Sequence, residues 1–179
     1  MRLIIQALHS EKVLEEWQEA FTIHGVQRPE GYFERCYHEC NQGDRVSLLA
    51  YVDDKLAGCI HLKLISDYAY FALHDVPEIN DLFVFPVYRR LGVATRLISE
   101  LELEAVNRGK NYVGIGVGLY PDYGPAQRCY ARLGYVPDGK GIQYNNQTVT
   151  PGATVCVDDD LLIYLAKPLA EHQGHVPFD

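Results

Sequence analysis

The stretch that most narrows what this chain can fold into runs over residues 76–135. An apolar strand ends at Phe85 and Pro86 and is followed by Arg89-Arg90-Leu91-Gly92-Val93-Ala94 and a long amphipathic helix. A second strand comes next, then a short helix that carries Tyr130 and closes on Leu133-Gly134-Tyr135. A strand that enters a glycine-bearing turn at a helix N-terminus presents unpaired N–H groups and a positive dipole end. That arrangement suits a phosphate or pyrophosphate. No Gly-Lys-Ser/Thr follows a glycine-rich loop, so the junction does not read as the phosphate loop of a phosphotransferase.

The flanking sequence supplies alternating strands and helices. Residues 2–8 read as a strand, and Ser10 as the N-cap of a helix with Val13, Leu14, Trp17, Ala20 and Phe21 on one face. Gly25 and Pro29 break that pattern, and a second helix carries Tyr32, Phe33, Cys36, Tyr37 and Cys40 on one stripe before stopping at Gly43. Val46–Val52 and Leu56–Ile65 flank Asp53-Asp54-Lys55 as a hairpin. Residues 66–75 form an aromatic-rich loop ahead of the strand Val76–Phe85.

Leu91, Ala94, Leu97, Ile98, Leu101 and Ala105 recur at helical spacing up to Gly109. In the strand Tyr112–Leu119, Gly114, Gly116 and Gly118 fall on one face, which implies that something approaches that face closely. Pro125 suits the first turn of the short helix, and Asp160–Lys167 is a final apolar strand. The pattern reads as one mixed-sheet α/β domain over residues 1–167 with a tail at 168–179.

Composition removes several function classes. A formal net charge of −8 over 179 residues argues against general nucleic-acid binding, which needs a basic surface, and fits a cationic acceptor better. No run of about 18 apolar residues is present, and the apolar stretch after Met1 is too short for a signal peptide, so a cytoplasmic location is expected, with no membrane partner. The five cysteines are scattered and odd in number, unlike a secreted disulfide framework. Cys36, His38 and Cys40 do not make a metal cluster, because His38 points away from the helix face shared by the other two. No metal site is expected.

In the order and spacing of three elements the chain resembles the GNAT superfamily of N-acetyltransferases. The strand Asp81-Leu82-Phe83-Val84-Phe85-Pro86 precedes Arg89, Gly92 and Ala94, which meet the family's pyrophosphate motif. Ala126-Gln127-Arg128-Cys129-Tyr130-Ala131-Arg132-Leu133-Gly134-Tyr135 is close to its helix-plus-strand signature. The resemblance implies a mostly antiparallel mixed central sheet flanked by helices, with two splayed central strands.

It also implies acetyl-CoA as acyl donor and a primary amine, small-molecule or peptide, as acceptor. Arg89 with the amides of Arg90, Leu91, Gly92, Val93, Ala94 and Thr95 would hold the CoA pyrophosphate, and the main chain at Phe83 and Val84 would pair with the pantetheine arm. The N–H at about Val84 would stabilise the thioester oxyanion. A homodimer is compatible with that family.

Direct attack by an amine needs a proton acceptor, because an alkyl amine with a pKa near about 10.4 arrives protonated. By resemblance Tyr130 is the general acid for the departing thiolate. An ungapped count back from Arg89 places Glu78 where a glutamate base lies in some relatives, with Asp81 in reserve. Glu78 and Asp81 face opposite sides of a regular strand unless a bulge intervenes. Tyr123 stands where many relatives have asparagine, leaving Gln127 or Tyr123 to meet that end of CoA.

Family analogy draws the acceptor pocket from residues 24–37 and 66–75. Those stretches offer Tyr32, Phe33, Tyr68, Tyr70 and Phe71, aromatics that suit a cationic amine. Two further readings share the fold: a CoA-binding sensor or interaction protein with little turnover, and an acyltransferase using a longer acyl-CoA.

Overall fold

The computed structural model describes residues 1–169; positions 170–179 of the expected tail lie outside the described residues. Eight strands and five α-helices follow one another as β1 (Leu3–Ala7), α1 (Glu11–Ile23), α2 (Tyr32–Gln42), β2 (Arg45–Val52), β3 (Lys55–Lys63), α3 (Ala69–Leu73), β4 (Glu78–Val84), α4 (Val93–Asn107), β5 (Tyr112–Gly118), α5 (Gly124–Arg132), β6 (Val136–Tyr144), β7 (Gln147–Thr148) and β8 (Leu161–Pro168). They form two compact units, one of Met1–Leu64 with Asn80–Glu104, the other of Ile65–Ile79 with Ala105 onward. The strands are mostly antiparallel, with one parallel pair, β4–β5.

In the first unit the strand order is β1-β2-β3-β4. The β2–β3 hairpin turns on Asp53 (φ 48°) and Asp54 (φ 64°), a two-residue loop with both residues left-handed that matches the twist of the strands. Ser10 caps α1 by accepting from the Val13 N–H at 3.4 Å, and Gly43 ends α2 at φ 85°. The apolar stripes of both helices close on the sheet: Val13, Trp17, Phe21 and Cys36 pack with Leu49, Leu56, Cys59 and Phe85. Trp17 is fully buried and meets Phe33 edge-on, ring centroids 4.7 Å apart.

In the second unit the order is β4-β5-β8-β6-β7. The parallel β4–β5 ladder has two rungs, Glu78–Gly114 and Ile79–Ile115. Antiparallel pairing then runs the length of β5, from Tyr112 opposite Pro168 to Gly118 opposite Leu162. Asn145 (φ 49°) and Asn146 (φ 60°) close the β6–β7 hairpin, a pair of strands not evident in the sequence pattern.

The glycine face of β5 is covered by the unit's own aromatic rings. A Cβ on Gly114 would lie 2.0 Å from the Phe71 ring, and one on Gly118 would lie 2.3 Å from the Tyr123 ring. Phe71 comes from α3, a single helical turn within the stretch expected to be an irregular loop. Apolar side chains at Phe71, Val76 and Ala166 pull that segment onto the sheet, with Tyr68 stacked on Tyr164 at 3.9 Å.

One position differs from the helical stripe expected at the motif. The helix begins at Val93, so Leu91 sits in the preceding turn, 40% exposed, while Leu97, Ile98, Leu101 and Ala105 are buried as the spacing requires.

The ring-on-glycine contact gives a stability test. Gly114→Ala forces Phe71 to move and is expected to cost about 1–3 kcal/mol in urea unfolding. In Gly114→Ala/Phe71→Leu the ring atoms are gone, so the double variant should be more stable than the sum of the two single losses. Strict additivity would show that the contact carries no strain.

Candidate active site

The first unit presents the end of β4 and the turn after it. Phe85 donates its N–H to the Ala57 carbonyl at 2.9 Å, and a Cβ on Gly58 would lie 2.3 Å from the Phe83 carbonyl oxygen. Phe83 and Phe85 therefore direct their main-chain polar groups at β3. Alternation along a strand turns those of Val84 to the other side. The Val84 carbonyl accepts from Arg89 Nε at 3.1 Å, an exposed side chain that hooks back over the strand end. The Val84 N–H shares that side.

After one turn of 3₁₀ helix at Pro86–Tyr88, Arg90 (φ 63°) and Gly92 (φ 80°) are both left-handed. Nothing stands within 4 Å of where a Gly92 Cβ would be, so it is backbone conformation rather than crowding that favours glycine there. The first intrahelical bond of α4 runs from the Arg96 N–H to the Gly92 carbonyl, 3.0 Å. The N–H groups of Val93, Ala94 and Thr95 precede it and belong to the turn of a helix that lacks internal partners. Arg89, Arg90, Leu91, Gly92 and Thr95 are exposed, so the turn is open to an anion.

Upstream in the same strand, Asp81 is left-handed at φ 47°. A left-handed residue there interrupts the regular backbone of the strand. Its side chain accepts from Arg28 Nη2 at 2.7 Å and from the Tyr32 hydroxyl. The Arg28 guanidinium also lies over the rings of Phe21, Tyr32 and Phe83, 5.1–5.5 Å from their centroids. Behind Tyr32 stands His61, its Nε2 3.1 Å from the Tyr32 oxygen and its Nδ1 2.6 Å from Ser47 Oγ. Burial and the nearby Asp81 push the Tyr32 phenol far above its ordinary pKa, so it is a donor.

Of the two aromatics expected at an acceptor pocket here, Tyr32 joins this cluster. Phe33 instead packs edge-on to Trp17 and Phe21. Arg28, Ser47 and His61 are not singled out by any sequence motif. The one trace is that Ser47 and His61 are polar residues inside otherwise apolar strands.

The second unit holds Glu78 and Tyr130. Glu78 is 9% exposed and accepts from the Ser66 hydroxyl, which in turn accepts the Tyr68 N–H at 3.0 Å. Tyr130 is 6% exposed and packs beside the Tyr135 ring, centroids 6.0 Å apart. Burial, with a smaller contribution from Cys129, pushes this phenol well above its ordinary value, so it keeps its proton across the working pH range.

Gln127 Nε2 donates to the Gly118 carbonyl at 2.7 Å, and the Tyr123 hydroxyl to Asp159 at 2.9 Å. The first ties α5 to the end of β5, and the second ties the turn before α5 to the segment just ahead of β8. Tyr68 and Phe71 are buried in the aromatic stack, whereas Tyr70 is half-buried with the Lys140 ammonium 4.6 Å from its ring centroid.

The model of the acetyltransferase (GNAT) family matches residues 10–135, well over half the sequence. The chain belongs to the GNAT acetyltransferase family. Solved GNAT structures share the fold at low identity. An N-acetyltransferase from Staphylococcus aureus Mu50 superposes at TM-score 0.70 with 12% identity, over 95% of this chain and 100% of that one. An aminoglycoside 6'-N-acetyltransferase complexed with coenzyme A gives 0.62 and 18%, over 93% and 97%. The PaiA N-acetyltransferase from Thermoplasma acidophilum, also in complex with coenzyme A, gives 0.59 and 17%, over 94% and 99%. No curated protein sequence matches the chain significantly.

The Asp81 cluster can be tested without a ligand. Asp81→Asn keeps a side chain that tolerates the left-handed backbone but removes the charge that Arg28 pairs with. It is expected to lower stability by about 1–2 kcal/mol in urea unfolding. A double-mutant cycle with Arg28→Met should give a coupling of similar size, and zero coupling would mean that the pair is incidental.

Proposed function

We propose that this GNAT protein transfers an acetyl group from acetyl-CoA to a primary amine by direct attack, with no covalent acyl-enzyme. The observation that carries the reading is the β4 end and its turn: a Val84 N–H turned away from β3, followed by left-handed Arg90 and Gly92 and the unpaired first turn of α4. The two structural relatives complexed with coenzyme A support the same donor.

In this reading Arg89 and the amides of residues 90–95 hold the pyrophosphate. Phe83 and Val84 align the pantetheine arm by their main chain, as an added strand would be aligned. The Val84 N–H donates to the thioester oxygen as negative charge grows there. Glu78 takes the amine proton, directly or through one water, and Tyr130 delivers its hydroxyl proton to the leaving thiolate. Burial keeps the proton on the Tyr130 oxygen, so the phenol is in the protonated form that the step requires. Asp81 binds the incoming ammonium, with Tyr32 beside it. Gln127, which ties α5 to the end of β5, and Tyr123, in the turn before α5, serve the pantetheine end.

Calorimetric titration with acetyl-CoA tests the donor site. The wild type is expected to bind with micromolar affinity, and an Arg89→Ala/Gly92→Asp variant, which places a carboxylate at the pyrophosphate turn, should show none. A folded wild type that does not bind would end the acetyl-transfer reading.

Tyr130→Phe tests the acid against a panel of spermidine, an amino sugar and a lysine peptide. Turnover should fall by about 10²–10⁴-fold with acetyl-CoA affinity unchanged. Because a raised pKa keeps Tyr130 protonated well above neutrality, wild-type activity should not fall between about pH 7 and pH 9 on its account. Unchanged turnover in the variant would assign the proton to another donor.

A further inference from the structure

The polar cluster behind Asp81 has a single self-consistent arrangement of protons. An ionised carboxylate carries none, so the one proton of Tyr32 points to Asp81. The Tyr32 oxygen can then only accept from its other neighbour, and His61 Nε2, 3.1 Å away, must be the donor. A neutral imidazole has one N–H, which leaves Nδ1 bare to accept the Ser47 hydroxyl at 2.6 Å. Ser47 has then spent its proton and receives the Cys40 thiol, Sγ to Oγ 3.2 Å. Four donors from α2, β2 and β3 thus run in one direction and end on the carboxylate at the left-handed position of β4.

The surroundings hold His61 neutral. Ser47 is 1% exposed and His61 0%. The Trp17 ring from α1 covers the imidazole at 5.4 Å between centroids. Burial, with the guanidinium groups of Arg45 and Arg28, pushes the imidazole well below its ordinary pKa. The Arg45 charge is itself turned to Glu39 at 2.6 Å, and that of Arg28 to Asp81.

We propose that His61 is a positioning residue for the acyl acceptor: fixed as the Nε2–H tautomer by Ser47, it drives the Tyr32 proton onto Asp81 and orients that carboxylate to receive an ammonium. The purpose assigned here rests on the acetyl-transfer reading, whereas the tautomer does not. Arg28 occupies one carboxylate oxygen and Tyr32 the other. Each oxygen keeps one further acceptor direction, and with the opposite tautomer Tyr32 could turn its proton to His61 and leave Asp81 held by Arg28 alone.

Long-range ¹⁵N–¹H spectra of the His61 ring in the wild type decide the tautomer. A protonated Nε2 beside a bare Nδ1, unchanged from about pH 6 to pH 8, is expected. An Nδ1–H tautomer or an imidazolium would overturn the chain. The second arm is kinetic, with the best amine of the panel above. His61→Leu should raise the KM for the amine about tenfold, the worth of one charge-assisted hydrogen bond, and leave the KM for acetyl-CoA unchanged.

His61→Gln, whose amide can donate to Tyr32 and accept from Ser47, should restore the amine KM. Tyr32→Phe, which keeps the ring packing, should behave like His61→Leu and stands in for it if the leucine variant fails to fold. Glutamine and leucine variants that behave alike would reduce His61 to a packing role and overturn the proposal. An Nε2–H spectrum in a protein that acetylates no amine would remove the acetyl-transfer reading and leave the chain standing. A wrong tautomer in an active enzyme would remove the chain alone.

Discussion

The left-handed backbone of Asp81 is the constraint on which the first unit's site depends. A non-glycine residue at φ 47° inside a strand costs about 1–3 kcal/mol and persists only when its surroundings hold it. Here the side chain is held from two directions, by Arg28 and by Tyr32, and Arg28 is in turn clamped by three aromatic rings. The same kink interrupts the regular backbone of β4. Regular strand resumes by Phe83, where the carbonyl comes so close to Gly58 that no larger residue fits without moving β3.

Regularity after the kink matters as much as the kink. Three consecutive residues, Phe83, Val84 and Phe85, alternate their polar groups, and the Phe85 bond to Ala57 fixes the phase. Val84 therefore faces away from β3 by necessity, not by side-chain choice. A main-chain N–H is a good oxyanion donor because its position is set by the strand and needs no rearrangement as charge develops. The Arg89 hook on the Val84 carbonyl acts in the same sense, since it ties the turn that follows to the strand that precedes it.

Much of this was legible in the sequence where the signal is local. Ser10, Gly43, Gly109 and Gly134 mark helix ends in residues whose neighbours decide the outcome. The order of strand, Arg-x-x-Gly-x-Ala turn and helix located the left-handed turn ahead of α4 for the same reason. The pattern of glycines in β5 correctly announced a close approach but not its author. Phe71 and Tyr123 do the approaching, and neither their reach nor the helical turn that carries Phe71 is encoded by spacing. The β6–β7 hairpin was invisible because Lys140, Gly141 and Gln143 show no clean alternation of apolar and polar residues.

The polar cluster behind Asp81 lay further out of reach for a physical reason. Cys40, Ser47, His61 and Tyr32 come from three separate elements, and each alone is an unremarked residue in an apolar setting. Their meaning arises only when the hydrogen-bond directions are followed together. A buried polar group left unmatched costs more than a matched one contributes. Ser47 and His61 are both almost fully buried, so each constrains the other, and a single carboxylate at the end of the row sets the sense of every proton behind it. A phenylalanine at 32 would leave the rings packed and the row without its last member. The site's dependence on that hydroxyl is therefore electrostatic rather than steric.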